Sequence, residues 1–285
     1  SRNSASRSNH KTLSCDCRPA NEMSALPALG FGTFQLADED CEHAVETALD
    51  AGYRHVDTAQ FYENEAAVGD ALDASAVPRE DVTVATKLWH DSLDPESVRE
   101  GVEASRERLG VDTIDLVYVH WPANTYDPEA TLGALSACYD DGLLDAVGLS
   151  NFTPELVDDA LAVCDAPVEA VQVELHPLLP QAGLREHAAD RDLDVVGYCP
   201  LMHGNAFDVP EIEAVAERRG VSEARVTLAW HRAKGVTPIP KATSEAHVAD
   251  NYASLDLELD DADVAEIDAI EDELRLGDPE FAPDW

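Results

Sequence analysis

Eight apolar, β-rich runs recur along this chain with amphipathic stretches between them, and that alternation limits the folds open to it. The runs are Leu29–Phe34, Arg54–Asp57, Val82–Lys87, Leu116–His120, Ala146–Ser150, Ala170–Glu174, Asp194–Tyr198 and Val236–Pro240. Helical patterns cover Glu39–Ala51, Glu65–Ala74, Pro95–Leu109, Pro128–Asp140, Pro154–Val163, Gly183–Arg191 and Pro210–Arg219, and another helix start follows Ser244. Three open on a cap, a proline and an acid: Asp94-Pro95-Glu96, Asp127-Pro128-Glu129 and Thr153-Pro154-Glu155. A side-chain acceptor, a residue without an N–H and a carboxylate all suit a helix N-terminus. Gly110 and Gly220 stand as terminators after helical runs. Strands apolar on both faces that alternate with helices argue for a parallel sheet wrapped by helices. The fold class is therefore α/β. Eight units over a chain of 285 residues is the count of a (β/α)8 TIM barrel in a single domain. A doubly wound sheet would show a glycine-rich dinucleotide loop after its first strand. Here Gly30-Phe31-Gly32 is followed by Thr33-Phe34-Gln35, with no third glycine in register.

Charge excludes several partners. There are 58 acidic against 19 basic residues, a formal net charge of −39, so nucleic acid and anionic membranes should be repelled. Self-repulsion on this scale suits a solvent near ~1 M salt, where charges are screened within about 3 Å. After residue 22 only Lys87, Lys234 and Lys241 remain as lysines. The composition reads as halophilic, with a salt-rich cytoplasm as the expected location. Residues 1–22 are net positive and rich in Ser and Asn, and Met23 follows at once. They read as a disordered leader or a misplaced start, with 23–285 as the barrel. No apolar stretch there is long enough for a signal peptide or a membrane span. Cys15, Cys17, Cys41, Cys138, Cys164 and Cys199 form no CxxC pair and no zinc spacing, so reduced cytosolic thiols are expected.

Barrel enzymes place their chemistry at the carboxyl ends of the strands. Those ends read Asp57, Lys87, His120, Ser150-Asn151, Gln172, Tyr198 and Lys241. Singly, each has a structural reading: a satisfied buried polar group, an ion pair, a core histidine, a packing tyrosine. A polar residue closing strand after strand indicates a site. In "GYRHVDTAQFYENE" Tyr62 follows Asp57 just before a helix start. A tyrosine of pKa near 10 is a poor acid at neutral pH. Lys87 nearby favours the phenolate and is expected to lower that value. Asp57 would pair with Lys87, and His120 could hydrogen-bond the oxygen that receives the proton.

A second group suits a cofactor. Ser150, Asn151 and Gln172 offer groups for a carboxamide, and Tyr198 offers a ring face for a flat heterocycle. "IPKATSEAHVADN" puts Lys241, Thr243 and Ser244 just before a helix, an anion site suited to phosphate.

The segments "GYRHVDTAQFYENE", "ATKLW", "VYVHWP", "VGLSNF", "VQVELHP", "GYCPL" and "IPKATS" together resemble the aldo-keto reductase family, in unbroken order over about residues 26–285. The resemblance implies a (β/α)8 barrel that binds a nicotinamide cofactor without a Rossmann motif and reduces aldehydes or ketones. It implies a catalytic tetrad of Asp57, Tyr62, Lys87 and His120, with Tyr62 protonating the new oxyanion. It further implies carboxamide ligands at Ser150, Asn151 and Gln172, a stacking ring at Tyr198, and cofactor contacts at Thr33, Asp57 and Leu201. Lys241, Thr243 and His247 fall at the adenosine 2′-phosphate, Asp250 and Asn251 at the adenine. Phe34, Trp89, His120 and Trp121 fall at the substrate pocket. His247 stands where many NADP-preferring members carry arginine, and a mostly neutral histidine lacks arginine's bidentate fork. The expected cofactor is thus NADP(H), with weakened preference over NAD(H). Short loops after His120 and Tyr198 and a brief tail, "LGDPEFAPDW", suggest an open pocket for small or varied carbonyls. A monomer is the family expectation. Two other classes remain: a non-catalytic nicotinamide-binding redox sensor, and a metal-dependent barrel hydrolase, for which no HxH or HExxH pattern occurs.

Overall fold

The computed structural model describes residues 26–285, so the leader expected at residues 1–22 lies outside the described residues. Eight parallel strands follow one another around the sheet: β1 (Phe31–Gly32), β2 (His55–Asp57), β3 (Thr83–Leu88), β4 (Ile114–Val119), β5 (Leu144–Ser150), β6 (Val168–Glu174), β7 (Asp194–Tyr198) and β8 (Val236–Pro238). Every neighbouring pair is parallel, with registers such as Val56↔Val84, Lys87↔Tyr118 and Ser150↔Gln172. The ring closes between β1 and β8, where the Gly30 and Gly32 amides donate to Pro238 O and Pro240 O at 3.0 and 3.1 Å. This is the expected (β/α)8 barrel.

The helices are α1 (Asp38–Ala51), α2 (Glu65–Ala74), α3 (Pro95–Leu109), α4 (Pro128–Asp140), α5 (Pro154–Leu161), α6 (Ala182–Ala189), α7 (Pro210–Arg219), α8 (Glu223–Ala233), α9 (Glu245–Tyr252) and α10 (Asp261–Asp268). The three cap-proline-acid starts are real. Asp94 accepts from the Ser97 amide at 3.2 Å, Asp127 from Ala130 at 2.9 Å and Thr153 from Leu156 at 3.4 Å. Gly110 and Gly220 end α3 and α7 with φ of 65° and 68°, a left-handed geometry glycine adopts without a steric penalty.

Two expectations need correction. The first strand is not Leu29–Phe34 but two residues, and the last is not Val236–Pro240 but three. In a parallel pair, alternate residues send both N–H and C=O to the same neighbour. Pro238 and Pro240 occupy the positions facing β1 and have no N–H to give. The seam therefore keeps only the bonds donated by β1. Secondly, two helices rather than one separate β7 from β8. The unexpected α8 buries seven of its eleven residues, from Ala224 to His231; Val226, Leu228 and Trp230 alternate as strand residues would, which hides the narrow polar face of Arg225 and Arg232.

A greasy layer between sheet and helices forms the main core. The barrel interior is a smaller plug of Ala85, Leu116, Tyr118, Ala146, Ala170, Val196 and Ile239. Tyr118 lies flat against Gly148 of the next strand, whose missing Cβ leaves room for the ring. Among the described residues, no helix is long and apolar enough to cross a membrane.

Candidate active site

Above that plug, at the carboxyl ends of the strands, lies a cleft of about 960 Å³. Asp57 ends β2 and Lys87 sits one residue before the end of β3. Tyr62 ends a 3-10 turn, Gln60–Tyr62, between β2 and α2. The side chains around it fix this turn. Asn64 donates to Thr33 O and Leu36 O, both at 2.9 Å, and accepts from Thr58 Oγ1 at 2.7 Å. Gln60 donates to Gly101 O at 3.1 Å and to Ser105 Oγ at 3.2 Å.

Lys87 is 1% exposed. Its ammonium contacts Asp57 Oδ1 directly and donates to Thr58 O at 2.9 Å and to the Tyr62 hydroxyl at 3.3 Å. Gln172 Nε2 donates to the other oxygen, Asp57 Oδ2, at 2.7 Å. The Tyr62 and His120 rings meet edge to face at 5.9 Å. The sequence-predicted group of Asp57, Tyr62, Lys87 and His120 is thus one cluster.

Burial and charge set the protonation states. Burial lowers the Lys87 pKa, but Asp57 and then Tyr62 outweigh it, so the net shift is upward and the amine stays charged. For Tyr62 the expected lowering is corrected: burial raises the phenol above its usual value, and Lys87 only partly offsets this. The hydroxyl keeps its proton at neutral pH. Burial, then the neighbouring Lys87 charge, hold His120 well below the ordinary histidine range, so its ring is neutral. Nδ1 is buried without a partner among the described residues, leaving Nε2 as the nitrogen available to a ligand. The cluster can donate a proton from a phenol to an oxygen held by a neutral imidazole.

Of the expected cofactor residues, Thr33, Asp57, Asn151, Gln172, Tyr198, Leu201, Lys241, His247, Asp250 and Asn251 line the cleft. Ser150 and Thr243 do not. Ser150 is fully buried and accepts from Asn151 Nδ2 at 3.1 Å, while Thr243 is exposed beyond the cleft wall. Asn151, at φ 63°, also donates to His120 O at 2.9 Å and accepts from the Tyr198 hydroxyl at 2.8 Å. Asp250 is already engaged: Oδ1 takes Arg225 Nε at 2.7 Å and Oδ2 takes Ser222 Oγ at 2.5 Å. Of the three lysines among the described residues, Lys241 alone has no carboxylate partner, since Lys87 pairs with Asp57 and Lys234 with Asp268. It lies three residues beyond the end of β8 rather than at the strand end itself.

Phe34, Trp89, His120 and Trp121 line the cleft as expected, and the structure adds Phe61, which stacks on Trp89 at 4.1 Å. The brief tail borders the pocket. Leu276, Gly277, Pro279 and Phe281 form part of its wall, and the Phe281 ring lies 4.1 Å from His90 and 5.5 Å from Trp121. The tail has no periodicity, so only a count of aromatics near the terminus could have pointed to it.

Comparison with known proteins fits this geometry. The family model described as "Aldo/keto reductase family" matches residues 28–272. An aldo-keto reductase of Mycolicibacterium smegmatis is 38% identical over 258 residues, covering 90% of this chain and 94% of the relative. The methylglyoxal reductase DkgB of Salmonella typhi is 36% identical over 264 residues, covering 91% of this chain and 99% of the relative. The solved structure of an aldose reductase from Giardia lamblia superposes with a TM-score of 0.84 at 32% identity, covering 90% of this chain and 96% of that one.

Proposed function

The chain belongs to the aldo/keto reductase family and is an NAD(P)H-dependent oxidoreductase that reduces carbonyls, and from that premise we propose how its own residues divide the work. Tyr62 is the general acid, Lys87 and Asp57 hold its hydroxyl in place, and His120 positions the carbonyl oxygen. The nicotinamide, when bound, supplies a hydride to the carbonyl carbon. The Tyr62 hydroxyl then gives its proton to the oxygen, and the resulting phenolate lies beside the Lys87 ammonium until solvent reprotonates it. The observation that carries this reading is the 3.3 Å contact between Lys87 Nζ and the Tyr62 hydroxyl, in a buried cluster that His120 borders.

The residues on the cleft wall fit the cofactor. Gln172 and Asn151 would hold the carboxamide and Tyr198 the nicotinamide ring. Lys241, a free cation in so acidic a chain, would hold the 2′-phosphate of NADPH beside the N-terminus of α9. Two features weaken the preference for NADPH. His247 stands where an arginine fork would, and Glu223 adds a carboxylate to the cleft wall. NADH is therefore a second cofactor. Small aldehydes, methylglyoxal among them, are the proposed substrates, and the enzyme works as a monomer in a salt-rich cytoplasm.

The test is NADPH oxidation at high KCl with a panel of aldehydes, repeated with Tyr62→Phe. The variant should lose about 100-fold or more in kcat, the scale of general acid catalysis, while its NADPH affinity changes less than about threefold. Cofactor binding without turnover across the panel would overturn the proposal in favour of a redox sensor. The ratio of kcat/KM for NADPH over NADH should stay below about 1000, since a larger ratio needs over ~4 kcal/mol of discrimination.

A further inference from the structure

Glu174 ends β6 with its side chain wholly buried, and no lysine or arginine pairs with it among the described residues. Instead Oε1 accepts from the Leu276 amide at 2.7 Å, Oε2 accepts from the Gly277 amide at 2.6 Å, and His176 Nε2 lies 2.9 Å from Oε1. Burial alone would raise the carboxyl pKa. The hydrogen bonds from His176 and the two tail amides outweigh it, and the net shift is downward. A buried carboxylate is costly unless hydrogen-bonded, and in a chain of net charge −39 an apolar residue at a strand end would be the cheaper choice. This carboxylate is spent on the tail.

Beside this carboxylate, Leu274 and Leu276 pack against the core and the Trp285 ring lies 6.3 Å from Trp121. The Leu274 amide donates to Leu178 O at 3.1 Å, and the Arg275 guanidinium lies 4.2 Å above the Trp285 ring. Gly277 fits because an added Cβ would meet the Tyr198 hydroxyl at 3.0 Å and Glu174 Oε2 at 3.1 Å. Four residues beyond this bridgehead, Phe281 meets Trp89, His90 and Trp121, with ring centroids 6.0, 4.1 and 5.5 Å apart. Trp89 and Trp121 project from the carboxyl ends of the barrel, whereas Phe281 reaches them only if the tail is held.

We propose that Glu174 is a positioning residue for substrate selection: it fastens the tail to β6 so that Phe281 completes an aromatic box for carbonyls bearing a flat apolar group. The inference rests on the carbonyl-reductase reading above and names the substrate class it favours. The Phe281 ring meets Trp89, His90 and Trp121 rather than Tyr62 or His120, so reduction of an aldehyde too small to fill the box should not depend on the fastening.

Benzaldehyde and methylglyoxal separate the two cases, each measured as kcat and KM with NADPH. Phe281→Ala sets the reference, with kcat/KM for benzaldehyde falling about tenfold, chiefly through KM, and that for methylglyoxal changing less than about twofold. Glu174→Gln replaces one acceptor by a donor that faces the tail amides, and should show the same split. Combined with Phe281→Ala it should cost no more than either alone, because both act through one contact. Leu276→Pro removes a tail donor together with a side chain of the cleft wall, so Leu276→Ala, which keeps the amide, is its control; if Glu174→Gln does not fold, the split should appear with proline and not with alanine. Equal losses on both aldehydes, or additive losses in the double variant, would overturn the proposal while leaving the reductase reading standing. Absence of turnover by the unmodified enzyme on either aldehyde would overturn both.

Discussion

Lys87 is the residue on which the buried charges depend. Its ammonium neutralises Asp57 where both side chains are at most 2% exposed. Removing one partner of such a pair strands the other, at a cost of about 3–5 kcal/mol. Lys87→Met should therefore lower Tm and kcat together. Lys87→Met combined with Asp57→Asn should recover most of the stability, read by thermal unfolding, but none of the rate. His231 in α8 gives a pH prediction. Its Nδ1 and Nε2 lie 2.7 and 2.8 Å from the carbonyl oxygens of Thr227 and Leu175, yet a neutral ring has one N–H to offer. Burial lowers its pKa to about 4, with the two carbonyls opposing the shift. A histidine lowered on folding binds its proton more readily when unfolded. Its contribution is present above about pH 6.5 and lost as pH falls toward 4, on the order of 3 kcal/mol at about 1.4 kcal/mol per pH unit. His231→Gln should flatten the fall in Tm over that window.

At the scale of the element, the β5 ladder depends on Gly148. Its Cβ would overlap the Tyr118 ring inside the barrel, so Gly148→Ala should cost about 1–3 kcal/mol in denaturant unfolding. Gly133→Ala, where an added methyl meets nothing within 4 Å, should cost nothing and serves as its control. The same scale explains what the sequence could and could not reveal. Helices α3, α4 and α5 announced themselves because cap, proline and acid are local chemistry. Asp57, Lys87 and His120 were legible because each is a charge or imidazole where an apolar run stops. Helix α8 was not, because Val226, Leu228 and Trp230 alternate with the period of a strand and are as buried as strand residues. Glu174 is equally polar and also ends a strand. Its partners, however, are backbone amides 102 and 103 residues away, and backbone donors leave no mark in a sequence.

Across the whole molecule, charge is far from balanced. Arg218 and Arg219 both reach Asp263, Arg225 meets Asp250, and Arg79 meets Asp115, but 19 basic residues cannot balance 58 acidic ones. Tm should rise steadily as KCl goes from ~0.1 M to ~1 M and beyond, as screening shortens from about 10 to 3 Å. An uncharged osmolyte at matched osmolality should give a smaller gain. The barrel itself has one loosely stitched stave. Between Pro238 and Pro240 the edge toward β1 offers no donor, so half the usual rungs are missing there. Transient parting should begin at this join, and amide exchange should find Gly30 and Gly32 the least protected of the staves' amides. Thr33 and Lys241, on either side of the gap, border the cleft. A nicotinamide dinucleotide bridging them would clasp the join from above, so NADPH should slow exchange at those two glycines more than at the β4–β5 rungs.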